Sequence, residues 1–288
     1  MSKSGWEQIG AVSPGALVPA RLELHHAAQL AAAVGASLLD PQPDDSHPNL
    51  GWRDRSRGFA GHTIPARRSF AAVLRPDDLT LVIEDDGGAT LAELELVDRT
   101  LAEGLEWLDE QTRALGPVAR DGALRLPGYD LPAHPVGSGG RFAGELAPER
   151  AELGRWFAGA HGLLVEVSTR EPDASEVRCW PHHFDVATLL AIERDDSGAA
   201  TRTVGVGLSP GDERYAEPYW YVAPWPGPFE TSLPSLESGG HWHAEGFTAA
   251  ILPGSEIVSA GTEAAQASRV RSFIDEALAA SRRLLARE

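Results

Sequence analysis

Apolar residues recur at helical spacing in four stretches of this chain, and between them lie segments that alternate or run apolar in the manner of strands. The first helical stretch, residues 20 to 34, is rich in alanine and leucine, contains no proline and meets Gly35, a good C-terminal breaker. Arg21, His25 and Gln29 fall at i, i+4 and i+8 within it and form one polar stripe. A loop rich in Pro, Asp and His spans Asp40 to Asn49. Strands are predicted at Trp52–Phe59, Ser69–Leu74 and Leu79–Ile83, with Leu94 and Leu96 on a further short one; Arg75-Pro-Asp-Asp and Asp85-Asp-Gly-Gly supply turns. A helix follows from Asp98 to Leu115, with Leu101, Leu105 and Leu108 on its apolar side, and Gly116-Pro117 ends it.

The prolines and glycines of residues 117–147 predict a connector. After it the order repeats. Pro148 opens a helix whose apolar face carries Leu153, Trp156, Phe157, Ala160 and Leu164. Strands are predicted at Val177–Ile192, Thr203–Leu208, Tyr219–Ala223 and Phe247–Leu252, with Asp195-Asp-Ser-Gly as a turn. A last helix runs from Thr262 to Leu285, burying Val270, Phe273, Ile274, Ala277, Leu278 and Leu285. The pattern is α+β: antiparallel sheets flanked by helices, with an internal pseudo-duplication of helix, strands and helix. It divides the chain into an N-terminal half (1–116), the connector (117–147) and a C-terminal half (148–288).

Charge and composition narrow the function. A net charge of −17 disfavours nucleic acid and anionic membranes, because both are bound through clustered cations. Lys3 is the only lysine, and Cys179 the only cysteine, so no intrachain disulfide can form. No apolar run reaches the roughly 20 residues that span a bilayer, and the first residues carry no apolar signal core. These features lead us to expect a cytoplasmic protein whose partner is a small molecule, with no nucleic acid and no membrane; the oligomeric state is left open.

The candidate chemistry sits in two patches of the C-terminal half. Arg178-Cys179-Trp180-Pro181-His182-His183-Phe184-Asp185 and His241-Trp242-His243-Ala244-Glu245 hold four of the ten histidines. In an extended strand, residues i and i+2 face the same way. His183 would then share a face with Asp185, and His241 and His243 with Glu245. Imidazole and carboxylate together suit a divalent transition metal. They equally suit metal-free acid–base catalysis by His183, Asp185, His241 and His243, or local hydrogen bonding beside aromatic rings. Tyr215, Tyr219, Trp220, Tyr221, Trp225, Phe229, Trp242 and Phe247 crowd into the same half. Of these, Tyr219, Tyr221 and Trp242, with Trp180, His25 and Gln29, are candidate ligand-binding residues, since aromatic rings give a pocket apolar walls with polar tips. A pocket of that kind on a non-catalytic binding or interaction protein is the rival reading. Gly207-Leu208-Ser209-Pro210-Gly211 has the spacing of a nucleophile elbow, but Pro210 has no N–H for an oxyanion hole, and a turn is expected there instead. Cys179 reads as a packed residue.

Several of these segments together resemble the DUF5996 family, a bacterial family of unknown function. Leu24-His25 with Gln29, Arg57-Gly58-Phe59, Ile64-Pro65, Ser69-Phe70 with its following strand, Trp180 with Phe184-Asp185, Pro210-Gly211 and Pro218-Tyr219-Trp220-Tyr221-Val222-Ala223-Pro224 are similar to its motifs, over residues 20 to 226. The chain departs from that pattern at Val177, where the family has a histidine. It departs again near Arg202-Thr203, which lacks a His-Glu pair, and at His182-His183, which stand in place of Gly-Ser. The resemblance implies no activity.

Overall fold

The computed structural model describes residues 5–117, 122–227 and 232–286, in an α+β fold with two antiparallel sheets. The chain forms two compact units. Residues 17–154 and 178–184 make the first; residues 1–16, 155–177 and 185–288 make the second. The units therefore differ from the two halves expected at residues 117–147: the boundary falls at residue 154 and the chain re-enters the first unit for seven residues.

In the first unit, α1 (Val18–Leu38) carries a proline in its first turn, where the missing N–H costs nothing. The helix does not stop at Gly35. A Cβ on that residue would stand 2.4 Å from the His47 carbonyl, so glycine is there to let the following loop pass close by. Sixteen of its 21 residues are buried. It is a central helix, packed on the strands. The stripe of Arg21, His25 and Gln29 therefore lies in the interior, since an alanine-rich helix shows no distinct wet face.

The expected strand at 52–59 is two short strands, β1 (Gly51–Arg53) and β2 (Gly58–Ala60), broken by a turn in which Arg57 has φ 47°. They continue into β3 (Phe70–Arg75), β4 (Thr80–Asp85) and β5 (Thr90–Glu95), an antiparallel meander in chain order. Strands β3 and β4 are buried on both faces, with Val73 opposite Val82. Helix α2 (Leu101–Leu115) starts on a capping box: Glu103 N–H donates to the Thr100 hydroxyl and Thr100 N–H to the Glu103 carboxylate.

Up to residue 146 the connector contains no strand or α-helix among its described residues, only a 3-10 turn at Pro135–Ser138; its last residue, Ala147, already begins a helix. It is anchored from below. The Glu23 carboxylate, fully buried on α1, accepts the Ala143 N–H at 2.6 Å and an N–H of Arg150 at 2.8 Å. Arg150 belongs to α3 (Ala147–Arg170), the helix within which the unit boundary falls.

The strand expected over 177–192 is interrupted. β6 (Arg178–Trp180) bridges Leu50 through Cys179, which is buried. Residues 181–184 then turn, with the Phe184 N–H on the Trp180 carbonyl at 2.7 Å and Phe184 at φ 60°, a region that bulky side chains rarely occupy.

The second unit resumes at β7 (Asp185–Arg194) and β8 (Ala200–Ser209), joined by the Asp195 turn, where the Asp195 carboxylate accepts the Ser197 and Ala199 N–H groups. With β9 (Tyr219–Trp225), β10 (His241–His243) and β11 (Ala249–Pro253), the order across this sheet is β7, β8, β9, β11, β10. One face is apolar: Val186, Val204, Val206, Leu208, Trp220, Val222 and Leu252 are buried. A short helix, α4 (Gly254–Val258), precedes α5 (Glu263–Leu285), which is capped by Thr262 and packs on β8, β9 and β11 with its expected stripe inward. Gln266 on α5 pins the N-terminal segment, accepting from Ile9 N–H at 3.1 Å and donating to Ile9 carbonyl at 2.9 Å. No helix among the described residues is long and apolar enough to cross a membrane.

Candidate functional site

The opposite face of the second unit's sheet is polar and aromatic. Alternation along β9 puts Tyr219 and Tyr221 on it and turns Trp220 into the core, as the strand period requires. Across the ladder, Gly207 of β8 and Ile251 of β11 flank Tyr221, and His241 of β10 lies opposite Ile251. The Tyr221 ring reaches over β8 to donate its hydroxyl to Asp185 at the start of β7. Gly207 makes that reach possible: a Cβ there would stand 2.6 Å from the Tyr221 hydroxyl oxygen.

The loop after β8 supplies the centre of the network. Asp212 accepts the Arg214 and Tyr215 N–H groups through one oxygen and the Tyr219 hydroxyl, at 2.6 Å, through the other. Burial, and then the bond to Asp212, push the Tyr219 phenol well above its ordinary range, so it stays a donor. Tyr215, half-buried over Ile251 and Ala249, has its hydroxyl 3.2 Å from His241 Nε2 and 3.1 Å from His243 Nδ1. Burial and the Asp212 charge raise its phenol as well.

An Arg214 N–H lies 3.1 Å from the Glu245 carbonyl, which accepts it, and 3.1 Å from His243 Nε2. His243 Nε2 is itself 2.9 Å from the same carbonyl, so Arg214, His243 and Glu245 meet at one point. The Tyr215 hydroxyl bridges the two imidazoles and can donate to one while accepting from the other. His241, an exposed residue, turns Nε2 to the network and has no protein partner at Nδ1 among the described residues. Phe247, 43% exposed, packs tilted against His243 with ring centres 4.4 Å apart and lies beneath Arg214 at 5.7 Å.

Several expected residues fall elsewhere. Glu245 sits in a bend beyond β10 and meets the cluster through its carbonyl, so it does not share a strand face with His243. Trp242 points away from His241 and His243 and donates to the Pro234 carbonyl at 2.7 Å, so it walls no common site with them. His183 lies in the 181–184 turn and not on a strand with Asp185. It belongs to the first unit, where with His182 it lines a cavity of about 560 Å3 beside Asp44, Asp45, Tyr129 and Asp130. Trp180 packs near His182, with ring centres 6.0 Å apart. His25 and Gln29 each donate a side-chain N–H to the Pro181 carbonyl at 2.8 Å, and His25 stacks on Phe184 at 5.4 Å, so both hold that turn. Phe229 lies outside the described residues. Among the described residues, no group of three or more His, Cys, Asp or Glu side chains is placed to hold a metal ion. Ser209 ends β8 and a loop follows it, with no helix. Sequence reasoning missed Tyr215 and Arg214 as members of the network; the available signal was Asp212-x-x-Tyr215 in a Pro-Gly loop just before a tyrosine-rich strand.

In comparisons with known proteins, no family model, curated protein or solved structure matches the chain.

Proposed function

We propose that the protein binds a small polar molecule over the Tyr215–His241–His243 face of the second unit and exchanges a proton with it through His241. The observation that carries this reading is the contiguous hydrogen-bonded cluster of Arg214, His243, Tyr215 and His241. It orients the His241 ring through Nε2 and leaves Nδ1 outward, where a bound molecule can exchange a proton with it. In this reading Tyr215, His243 and Arg214 are positioning residues. Phe247 offers a flat apolar surface beside the polar groups, suited to a ligand that carries a hydroxyl or carbonyl next to an apolar part. The single cysteine and the acidic surface fit work in a reducing, cytoplasmic setting. The resemblance to the DUF5996 family adds no activity to this reading.

The test has two parts. Nitrogen-15 imidazole spectra should show His241 Nε2 and His243 Nδ1 hydrogen-bonded, and Tyr215→Phe should shift both resonances. Small hydroxy and carbonyl compounds should then be screened for shifts of the His241 resonances, and each hit assayed for turnover by the wild type and by His241→Ala. Imidazole resonances that ignore Tyr215→Phe, or hits whose binding and turnover ignore His241→Ala, overturn the reading.

A further inference from the structure

The chain has 42 acidic residues against 25 basic ones, so a cavity walled by cations and by no carboxylate is an electrostatic exception. One such cavity, of about 540 Å3, opens in the first unit beside β1 and β2. Arg53, Arg178, His62 and Thr63 line it together with Gly51, Trp52, Ala60 and Gly61.

Arg53 and His62 are tied to named partners, and Gly51 makes room for Arg178. Arg53 gives one N–H to Glu84 at 3.0 Å, and Glu84, 4% exposed, also accepts the Ser56 hydroxyl. Glu84 is the only partner of Arg53 among the described residues, so the other guanidinium N–H groups keep their capacity to donate. Arg178 on β6 lies across Gly51. A Cβ at residue 51 would stand 3.0 Å from its terminal nitrogen, so the glycine leaves that guanidinium the room it occupies. His62 Nε2 faces two acceptors, the Ser46 carbonyl at 3.0 Å and Asn49 Oδ1 at 2.9 Å, which fixes its hydrogen there and orients the ring.

We propose that this cavity binds the oxyanion group, carboxylate or phosphate, of a small organic molecule, with Arg53 and Arg178 as the two clamps. Planar guanidinium forks match both groups in two-point contacts, and charge-assisted hydrogen bonds of this kind are the strong ones. Thr63 adds a hydroxyl donor. The volume falls within the roughly 300–1,000 Å3 of small-molecule sites, so an organic body fits beside the charged group. The site lies in a different unit from the His241 network and does not depend on it.

Calorimetric titration of the full chain with inorganic phosphate and with succinate, at low ionic strength, tests the proposal. One saturable site per chain is expected for at least one of the two, weakened about tenfold or more in both Arg53→Gln and Arg178→Gln, and unchanged in Arg282→Gln on α5. Preference for phosphate or for succinate identifies the group. Because Arg53→Gln unpairs a buried carboxylate, thermal unfolding checks each variant. Gly51→Ala, which crowds Arg178 without removing charge, is a second route to the same weakening. Absence of saturable binding to either probe at millimolar concentration, or binding that survives both arginine substitutions, overturns the proposal.

Discussion

His25 makes the first unit sensitive to acid. Burial holds its imidazole at a pKa of about 4, against 6.5 for the free side chain, while its bond to the Pro181 carbonyl pulls weakly the other way. Below pH 6.5 the unfolded chain protonates this residue and the folded chain does not. Stability from His25 is thus fully present above the unfolded pKa and is lost as pH falls toward the folded one. The full shift corresponds to about 3 kcal/mol at 1.36 kcal/mol per unit, of which about 2 kcal/mol is lost between pH 7 and pH 5. His25→Gln keeps an N–H for Pro181 but cannot titrate. Urea unfolding followed at the α1 amide resonances should show the wild type losing about 2 kcal/mol more than this variant on going from pH 7 to pH 5. Parallel losses in the two proteins, or a His25 resonance that titrates near 6.5 in the folded state, would refute the reasoning.

Three other substitutions probe features described above. Arg150→Met leaves the buried Glu23 carboxylate without its cation and should cost about 3–5 kcal/mol, seen as a fall in Tm of roughly 10 °C; pairing it with Glu23→Gln should recover part of the loss. Gly207→Ala drives a Cβ into the Tyr221 hydroxyl and the Val186 carbonyl, and should cost about 1–3 kcal/mol in chemical denaturation. Gln266→Leu removes both hydrogen bonds to Ile9 and should destabilise the second unit by about 1–3 kcal/mol, with faster amide exchange around Ile9 as the local signature.

Much of the architecture was readable along the chain because it is local. The buried stripe of α5, its start at Thr262 and the Asp195 turn are each specified by neighbours within a few residues, whereas α2 begins at its Thr100 cap and not at Asp98. What escaped was set at a distance. The Arg21-His25-Gln29 stripe looks wet on a helical wheel, and only packing against the β-strands shows it to be interior. Gly35 has the look of a stop signal, yet it serves the approach of a loop twelve residues on. The break at 181–184 depends on Phe184 taking a left-handed backbone, which no propensity favours and which its packing on Phe59 and His25 sustains. His241 and His243 were visible as a pair, but their common partner Tyr215 is chosen by strand pairing across more than 20 residues.

The return of residues 178–184 to the first unit has a consequence for synthesis. The acceptor that His25 and Gln29 require, the carbonyl of Pro181, is made more than 150 residues after them. A ribosome adding roughly 5–20 residues per second leaves the His25 imidazole of the emerging N-terminal portion for many seconds without this acceptor, while Gln29 keeps only its bond to the His25 carbonyl. These bonds can close only after the polypeptide has passed residue 181, and a fragment ending at the connector would lack their acceptor.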